Sequence, residues 1–409
     1  MKVVMVGSFG LRKKGTMSVR ALPMAQALAA HGHDVTLLVP PWDTPGDSGL
    51  QMELGGVKVV NLALPPAVPL LYHLLIVLGL AWESLRRRPE VLHIFKPKAY
   101  GGGVAMLVWV LKQFRLCRAR LVIDADDWEG AGGWNDLDHI SFLAKHVVSW
   151  QEFWGYRHAD ALTVASRTLE GIAWSIGVPR RRVHYVPNGV QAWVTTASPG
   201  AREQVRAAHN LGERPVVLLY TRFFEFSPQR VVQALAKLSS LVPDYALLIV
   251  GSGLHSTDEQ VFFRLLESHG LSPRTVAVGW VEMSRLPDYF AAADVAIYPF
   301  DDILVNRAKC AVKLIDLLAA GVPVVADRVG QATEYLEHGE SGVLVEPGDV
   351  EGFASAIADL LTSPTRRAFF SGRSRTLVNR RYAWSELATR VEEAYGLSAS
   401  ERARELVPA

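Results

Sequence analysis

Three charged residues in one apolar segment are suited to binding a phosphorylated, hydroxyl-rich ligand. Asp316 is the only acidic residue in residues 311–320, whose remaining composition favours a buried helix. A carboxylate accepts hydrogen bonds with both oxygens, so it suits a pair of adjacent hydroxyl groups. Lys309 and Lys313 precede Asp316 at spacings that place all three side chains on one face of a continuous helix. A solvent-exposed row of ion pairs is the alternative interpretation.

A second charged group is the acidic cluster Asp124, Asp126 and Asp127 in the sequence LVIDADDWEG, residues 121–130. This cluster follows a short apolar run that reads as a strand, and ligands bind at the carboxyl ends of strands in open α/β sheets. Asp126 and Asp127 are therefore candidates for contacts with hydroxyl groups or with a hard cation. A purely structural cap for the next loop is the alternative.

Two loops have compositions that fit a ligand. Residues 7–18 contain Gly15 and Thr16 before a predicted helix that carries Arg20, and glycine allows the backbone to approach a phosphate at a helix start. Residues 128–134 are rich in glycine and contain Trp128 and Trp134, which suits stacking against a sugar or a prenyl chain. A surface loop with two packed tryptophans is the alternative for the second loop.

Length and composition indicate two globular domains. The chain has 409 residues with 49% hydrophobic and 21% charged residues, which is ample for packed cores. Two cysteines, Cys117 and Cys310, cannot form a disulfide framework, and the first residues lack the pattern of a signal peptide. We therefore expect a cytoplasmic protein.

Basic residues are in excess before residue 190, and acidic residues are in excess after it. Runs such as Arg86-Arg87-Arg88 indicate an anionic partner, either a membrane surface or a phosphorylated acceptor, and nothing indicates nucleic acid. Residues 68–82 are mostly apolar but too few to span a bilayer. They predict a core helix or a helix that docks at the membrane interface.

Short apolar runs alternate with helical segments along the whole chain, which is typical of parallel, doubly wound sheets. The pattern restarts near residue 216, so the fold class is α/β with two Rossmann-like domains. We place the first domain at residues 1–190 and the second at residues 212–381. A final amphipathic helix, within residues 382–409, is expected to pack back on the first domain.

Residues 293–347 resemble the nucleotide-sugar-binding segment of the family-4 retaining glycosyltransferases, which have the GT-B fold. The resemblance rests on the sequence LIDLLAAGVPVVAD around Asp316 and extends more loosely over most of the chain. It implies two Rossmann-like domains that face each other across a cleft, with the acceptor bound by the first and the donor by the second. It also implies a metal-independent hexosyltransferase without a cofactor, because this fold holds the diphosphate with cationic side chains and helix dipoles.

The resemblance assigns roles residue by residue. Asp316 would bind the ribose of the donor, and Arg222 would bind its diphosphate. Asp126 and Asp127 would stand near the reaction centre, in place of a His-Asp pair found in many relatives. The other implied contacts are Gly15, Thr16, Gly251, Gly253, Trp280, Val281, Lys309 and Lys313 for the donor, and Arg20, Trp128 and Trp134 for the acceptor.

The sequence departs from the family pattern at two positions. The lysine that usually follows the arginine by five or six residues is replaced by Ser227 and Pro228, and the first glutamate of the Glu-x7-Glu pattern is replaced by Ala308. Arg230, Lys309 and Lys313 are the candidate substitutes, and Lys309 is also predicted to be catalytic. The predicted activity is retaining sugar transfer to a hydroxyl acceptor, such as a lipid or cell-envelope precursor. The alternatives are a nucleotide-sugar-binding subunit without turnover and another GT-B enzyme such as an epimerase.

Overall fold

A computed structural model of the protein describes residues 1–12, 15–69, 71–137, 141–195 and 197–397. The chain divides into two compact units. The first comprises Met1–Gly189, Ala308–Cys310 and the chain from Trp384, and the second comprises Val190–Arg307 and Ala311–Ala383. Each unit has its own largely parallel sheet and its own hydrophobic core, which confirms the predicted α/β class with two parallel-sheet domains.

The first unit is built on an eight-stranded sheet in the order β3-β4-β2-β1-β5-β6-β7-β8. Its strands are β1 Lys2–Val6, β2 Asp34–Val39, β3 Gln51–Leu54, β4 Val57–Asn61, β5 Val91–Phe95, β6 Arg120–Ala125, β7 Ala161–Val164 and β8 Val183–Tyr185. A π-helical turn, Thr16–Ala21, leads into α1 Leu22–Ala30. The other helices are α2 Leu71–Leu85, α3 Ala99–Gln113, α4 Trp134–Leu137, α5 Phe142–His158, α6 Arg167–Ser175 and, after the second unit, α16 Trp384–Tyr395.

Strand β3 was not predicted from the sequence. It pairs with β4 in an antiparallel hairpin, and the turn consists of Gly55 and Gly56 with φ values of +57° and +78°. Two consecutive glycines between short segments are a recognised signal for such a turn, because glycine adopts positive φ without steric cost. The first unit is therefore parallel except at this edge.

Helix α16 packs against α1, β7 and β8 of the first unit. Glu392 on α16 lies 2.7 Å from His31 Nδ1 and 3.2 Å from His33 Nε2, at the end of α1. The Tyr395 hydroxyl lies 2.9 Å from His93 Nδ1 on β5. These polar contacts between distant parts of the sequence attach the final helix to the first unit. Residues 398–409 of the predicted terminal segment lie outside the described residues.

The second unit is built on a six-stranded parallel sheet in the order β11-β10-β9-β12-β13-β14. Its strands are β9 Val216–Tyr220, β10 Ala246–Val250, β11 Thr275–Ala277, β12 Val295–Tyr298, β13 Val324–Asp327 and β14 Val343–Val345. Its helices are α7 Ala201–Ala208, α8 Pro228–Leu241, α9 Ser256–Ser268, α10 Leu286–Ala292, α11 Leu304–Ala308, α12 Val312–Ala320, α13 Ala332–Tyr335, α14 Val350–Thr362 and α15 Pro364–Arg381.

Each sheet has a point where the strand order reverses. In the first unit β1 lies between β2 and β5, and in the second β9 lies between β10 and β12. The loops on either side of such a point diverge, so a crevice opens at the carboxyl ends of the strands. The candidate site residues described below lie mainly in the loops that follow β1, β5, β6, β9 and β12.

The helix that carries Asp316 agrees with the predicted residues 311–320 to within one residue, but it does not continue back to Lys309. Helix α12 begins at Val312 and ends where Gly321 adopts a left-handed conformation with φ +76°. The preceding helix, α11, ends at Ala308, so Lys309 lies in a break between two helices. The prediction that Lys309 shares a helical face with Lys313 and Asp316 is therefore wrong, because that geometry requires an uninterrupted helix.

Within the described ranges, no helix combines the length and the apolar character needed to cross a bilayer.

Candidate functional site

Asp316 is a buried carboxylate in the second unit. Its exposed fraction is 1%, and its Oδ1 atom has no hydrogen-bond partner among the described residues. Burial raises the pKa of this carboxyl group well above its usual value, because a charge is costly where water is excluded. A buried polar atom without a partner is rare in proteins and needs an explanation. A ligand that donates hydrogen bonds would provide one.

Cationic side chains lie around Tyr220 at the end of β9, and Asp316 also acts on this tyrosine. Burial, followed by the negative charge of Asp316, raises the pKa of Tyr220, and the positive charge of Arg222 opposes that rise. The Nζ atom of Lys313 lies 5.4 Å from the centre of the Tyr220 ring and 3.4 Å from Glu225 Oε1. The exposed Arg222 guanidinium lies 5.7 Å from the Phe224 ring. Two cations and one buried carboxylate thus surround the end of one strand.

Two glycines bring the next loop close to this strand end. Gly251 has φ +112°, and a Cβ atom at this position would lie 2.1 Å from the carbonyl oxygen of Thr221. At Gly253 a Cβ atom would lie 2.5 Å from the carbonyl oxygen of His255. Only glycine fits at either position, because any side chain would displace backbone atoms. Trp280, in the loop after β11, is 71% exposed beside the half-buried Val281, so its ring is accessible to a base.

Arg230 does not replace the missing lysine of the family pattern. Its guanidinium donates to Asp301 Oδ1 at 2.9 Å and to both carboxylate oxygens of Asp327 at 3.1 and 2.9 Å. Burial raises the pKa of Asp327 to about 6, although Arg230 and the Phe300 amide counteract that rise. Arg230 therefore joins β12, β13 and α8, and we assign it a structural role.

Glu225 and Asn306 shape the loop after β9. The carbonyl oxygen of Glu225 accepts hydrogen bonds from Asn306 Nδ2 at 2.7 Å and from the amide of Asp301 at 3.0 Å. The Glu225 side chain is buried and pairs with Lys313. The loops after β9 and β12 are thereby tied together on both sides of the strand reversal. Neither interaction has a sequence signal, because the partners lie far apart along the chain.

The acidic cluster of the first unit surrounds a lysine that the sequence did not single out. Lys96 Nζ lies 3.1 Å from Asp126 Oδ1, 2.8 Å from Asp127 Oδ2 and 3.1 Å from Glu129 Oε1. Lys96 is buried and has φ +57°, which is strained for a residue other than glycine. Burial lowers the pKa of its ammonium group, but the three carboxylates together raise it by more. The net result is a pKa well above the usual value, so the group stays charged.

Gly15 and Thr16 lie at the start of the π-helical turn, and Thr16 Oγ1 donates to Asp126 Oδ2 at 2.8 Å. Asp126 is therefore held between Thr16 and Lys96. Burial raises the pKa of Asp127, and Lys96 counteracts that rise. The structure thus joins Thr16 to Asp126, and Lys96 joins Asp126 to Asp127.

Arg20 has an internal role that differs from the predicted contact with an acceptor. Its side chain is fully buried, and its Nε and Nη2 atoms both donate to Asp124 at 2.7 Å. Its Nη1 atom donates to Asn188 Oδ1 at 2.9 Å. Asp124 also accepts from Thr163 Oγ1 at 2.7 Å, and Thr163 contacts His93. Arg20 thus belongs to a buried polar network that ends at α16.

Trp128 likewise differs from its predicted role in acceptor binding. Its ring is buried against Phe153 and Tyr156, and its Nε1 atom donates to the carbonyl oxygen of Ala131. A Cβ atom at Gly133 would lie 2.1 Å from the carbonyl oxygen of Trp128. At least this glycine of the loop therefore serves tight packing around Trp128.

Trp134 is half-buried at the start of α4, and its ring lies 5.9 Å from Lys309 Nζ. Lys309 is thus grouped with the first unit, whereas Lys313 and Asp316 belong to the second.

Among the described residues, no three His, Cys, Asp or Glu side chains form a group suited to holding a metal ion.

We expect Lys96→Met to lower the free energy of unfolding by about 3–5 kcal/mol, because three buried carboxylates lose their shared cation. Lys98→Met is the matched control, since Lys98 is more exposed and, among the residues that the structure describes, pairs with Glu129 alone. Urea denaturation, followed at the unfolding transition of the first unit, measures the free energy of unfolding of both variants. Equal losses for the two variants would contradict a central role for Lys96 in this cluster.

The amino-acid sequence is similar to two known family signatures and to several known proteins. The signature "Glycosyl transferase 4-like domain" matches residues 15–189, and the signature "Glycosyl transferases group 1" matches residues 194–376. The chain is 30% identical over 250 residues to the GDP-mannose-dependent alpha-(1-6)-phosphatidylinositol monomannoside mannosyltransferase of Mycolicibacterium smegmatis, an alignment that spans 60% of this chain and 64% of that protein. It is 24% identical to the protein of the same name from Mycobacterium tuberculosis (strain ATCC 25618 / H37Rv) over 96% of this chain and 97% of that protein.

Solved structures share the fold at lower identity. Sucrose-phosphate synthase from Thermosynechococcus elongatus aligns with a TM-score of 0.74 and 20% identity, covering 97% of this chain and 98% of that one. The catalytic domain of starch synthase IV from Arabidopsis thaliana, bound to ADP and acarbose, aligns with a TM-score of 0.73 and 15% identity, covering 98% and 99%. At these identities the likeness shows the fold and no more.

Proposed function

The chain belongs to the family-4 glycosyltransferases with the GT-B fold, and from this premise we propose that it transfers a hexose from a nucleotide-diphosphate sugar to a hydroxyl acceptor with retention at the anomeric carbon. The observation that carries the proposal is the buried, unpaired carboxylate of Asp316 at the strand reversal of the second unit. Arg222 and Lys313, close to Tyr220 at the end of β9, are suited to a diphosphate.

The proposed chemistry is a front-face displacement. The glycosidic bond to the diphosphate breaks, the acceptor oxygen attacks the same face of the sugar, and the leaving phosphate takes the acceptor proton. Positive charge at Arg222 and Lys313 stabilises the negative charge that develops on the leaving group, which makes a metal ion unnecessary. The ribose hydroxyls donate to Asp316 and fix the donor for this step. Roles for Lys309, Asp126 and Asp127 in this step stay predictions.

We propose GDP-mannose as the first donor to test, because the two mannosyltransferases named above use it. The experiment measures release of nucleoside diphosphate from GDP-mannose, GDP-glucose and UDP-glucose, without acceptor and with lipid extracts as acceptor. Slow release without acceptor, faster release with acceptor and a product that retains the anomeric configuration support the proposal. Tight donor binding without release would favour the alternative, a nucleotide-sugar-binding subunit without turnover.

The acceptor is proposed to be lipid-linked, with the enzyme working on the cytoplasmic face of a membrane. The supporting observation is a surface in the first unit where large apolar side chains are exposed on α2, α3 and α5. Helix α3 packs against both α2 and α5, so these side chains lie on neighbouring elements. They are Leu71, Leu74, Leu75, Leu78 and Trp82 on α2, Val110 and Phe114 at the end of α3 with Leu116 after it, and Phe142, Leu143, Val147 and Trp150 on α5. Such patches on soluble proteins mark interaction sites.

We expect binding to vesicles of anionic phospholipid to depend more on this apolar surface than on the arginine run. Arg86 and Arg87 both pair with Glu83, which reduces the charge that the run presents. Trp82→Ser should reduce the fraction of protein that sediments with vesicles at least threefold, whereas Arg88→Gln should reduce it less. An unchanged fraction for Trp82→Ser, or no binding by the wild type at low salt, would contradict membrane docking.

A further inference from the structure

An aromatic cluster lies at the carboxyl edge of the first unit's sheet, outside the charged site around Lys96. The Tyr100 ring lies 6.3 Å from Trp42, in an edge-on arrangement, and is stacked on His73 at 5.8 Å. The Tyr100 hydroxyl lies 2.7 Å from His73 Nδ1. Trp42 is 37% exposed and His73 is exposed, whereas Tyr100 is buried beneath them.

Backbone contacts fix this cluster beside the loop that follows β1. Trp42 Nε1 donates to the carbonyl oxygen of Ser8 at 2.9 Å, and Ser8 Oγ contacts the carbonyl oxygen of Lys98, just before α3. A Cβ atom at Gly101 would lie 2.8 Å from Ser8 Oγ, so the start of α3 approaches the loop as closely as glycine allows. Tyr100 is thereby held where ligands of open α/β sheets bind.

Two polar atoms next to Trp42 lack hydrogen-bond partners. Asp43 Oδ2 and Thr44 Oγ1 are shielded from solvent and have none among the described residues. The other oxygen of Asp43 accepts from the amide of Gly10 at 3.0 Å, which holds the carboxylate in place. A Cβ atom at Gly10 would lie 2.8 Å from Thr44 Oγ1. Buried acceptors of this kind are suited to the hydroxyl groups of a polyol.

The exposed apolar row of α2 starts at this cluster. His73 lies in the first turn of α2, next to Leu74. Leu74, Leu78 and Trp82 are spaced by four residues, which puts these three along one side of the helix. From His73 to Trp82 the row is about 14 Å long at the rise of an α-helix. An amphiphile with its polar end at His73 would therefore have apolar side chains along the first part of its chain.

We propose that Trp42, Asp43, Thr44 and His73, with Tyr100 supporting His73 and Trp42 from beneath, bind the polar head of the acceptor, a ring that carries several hydroxyl groups and is attached to an alkyl chain that runs along α2. The proposal rests on the proposed sugar transfer to a lipid-linked acceptor. The exposed rings of Trp42 and His73 contact the apolar face of the head group, and Asp43 and Thr44 accept its hydroxyl hydrogens. These residues take the place of Trp128 and Arg20, which the sequence had suggested and which the structure buries.

The experiment measures binding of octyl mannoside, below its micelle concentration, to the full-length wild type and to Trp42→Ala. Methyl mannoside carries the head alone, and octyl phosphocholine carries the same tail on a different head. Hydrogen exchange followed by mass spectrometry reports the place of binding, and calorimetry reports the affinity. We expect octyl mannoside to protect residues 41–44 and 71–82, and Trp42→Ala to weaken binding at least tenfold. The matched control is Phe369→Ala, which removes an exposed aromatic ring of the second unit and should leave the affinity unchanged.

Three outcomes decide the proposal. Protection of both segments, together with weaker binding of octyl mannoside by Trp42→Ala and by Asp43→Leu, would support it. Equal affinity of the wild type for octyl mannoside and octyl phosphocholine would overturn the polyol site, and so would protection elsewhere in the first unit.

Donor hydrolysis without acceptor is measured in parallel for the wild type and for Phe369→Ala. The two hydrolysis rates should agree within twofold. An absence of hydrolysis in the wild type would contradict the proposed transfer reaction. The binding result would still decide the head-group site, so the failure of one proposal can be told from the failure of the other.

Discussion

Asp316→Asn is expected to weaken binding of nucleoside diphosphates about 10- to 100-fold, which corresponds to the loss of hydrogen bonds to a charged group. The same substitution is expected to stabilise the free protein at neutral and alkaline pH. Burial raises the pKa of the Asp316 carboxyl group in the folded state, so the folded protein resists ionisation of this group more than the unfolded chain does. If Asp316 served only to stabilise the fold, Asp316→Asn would instead destabilise the free protein.

The stability difference between wild type and Asp316→Asn should depend on pH in a direction set by the raised pKa of Asp316. Between the unfolded pKa of about 4 and the raised folded pKa, wild-type stability falls by about 1.4 kcal/mol per pH unit from this group. Below that window the carboxyl is protonated in both states, so the two proteins should unfold alike. The advantage of Asp316→Asn should therefore grow as the pH rises and then level off. Thermal unfolding from acidic to mildly alkaline pH measures it, and titration calorimetry measures the nucleotide affinity.

Asp288→Asn is the matched control, because Asp288 is also buried in the second unit but is fully partnered. Burial alone would raise the pKa of its carboxyl group, but hydrogen bonds from Ser198 and the ion pair with Arg285 together lower it. This variant should be less stable than wild type at neutral pH, and the difference should disappear as the pH falls. A destabilised Asp316→Asn that binds nucleotide normally would make Asp316 a structural residue.

Arg222→Ala is expected to lower kcat about 10²- to 10³-fold, the usual cost of removing one group that stabilises a leaving anion. The side chain is exposed in the free protein, so the variant should fold with nearly unchanged stability. Arg222→Lys should recover part of the rate, because the charge returns without the planar fork that matches a phosphate. Steady-state rates with saturating donor separate kcat from KM.

Arg328→Ala serves as the control for Arg222, since it removes an exposed arginine of the second unit whose partner is Glu346. Its kcat should equal that of wild type.

Lys313→Ala should lower kcat by about as much as Arg222→Ala does if both cations bind the same diphosphate. The loss of kcat in the double variant should then be smaller than the product of the two single losses. A kcat for Arg222→Ala within twofold of wild type would remove Arg222 from the proposed mechanism.

The sequence was sufficient for features that depend on local chemistry. Gly321 ends α12 because only a residue tolerant of positive φ fits there, and Asp316 stands out because an acid on an apolar helix is rare. The repeated strand and helix pattern predicted both sheets. Strand β3 could have been found from Gly55 and Gly56, whose succession is a turn signal.

Features that depend on distant partners could not be found in this way. Arg20 looks like any helical arginine until the fold brings it to Asp124 and Asn188, more than 100 residues away. Lys96 had no signal that would separate it from a surface lysine. The break at Lys309 is also hard to predict, because residues 309–311 contain no glycine or proline that would interrupt a helix.

The most direct test of the central claim is a crystal structure of the protein with GDP and another with UDP. Our account predicts that the ribose hydroxyls lie within hydrogen-bonding distance of Asp316 and that the diphosphate contacts Arg222 and Lys313. A nucleotide bound elsewhere, or one whose ribose hydroxyls face groups other than Asp316, would contradict it.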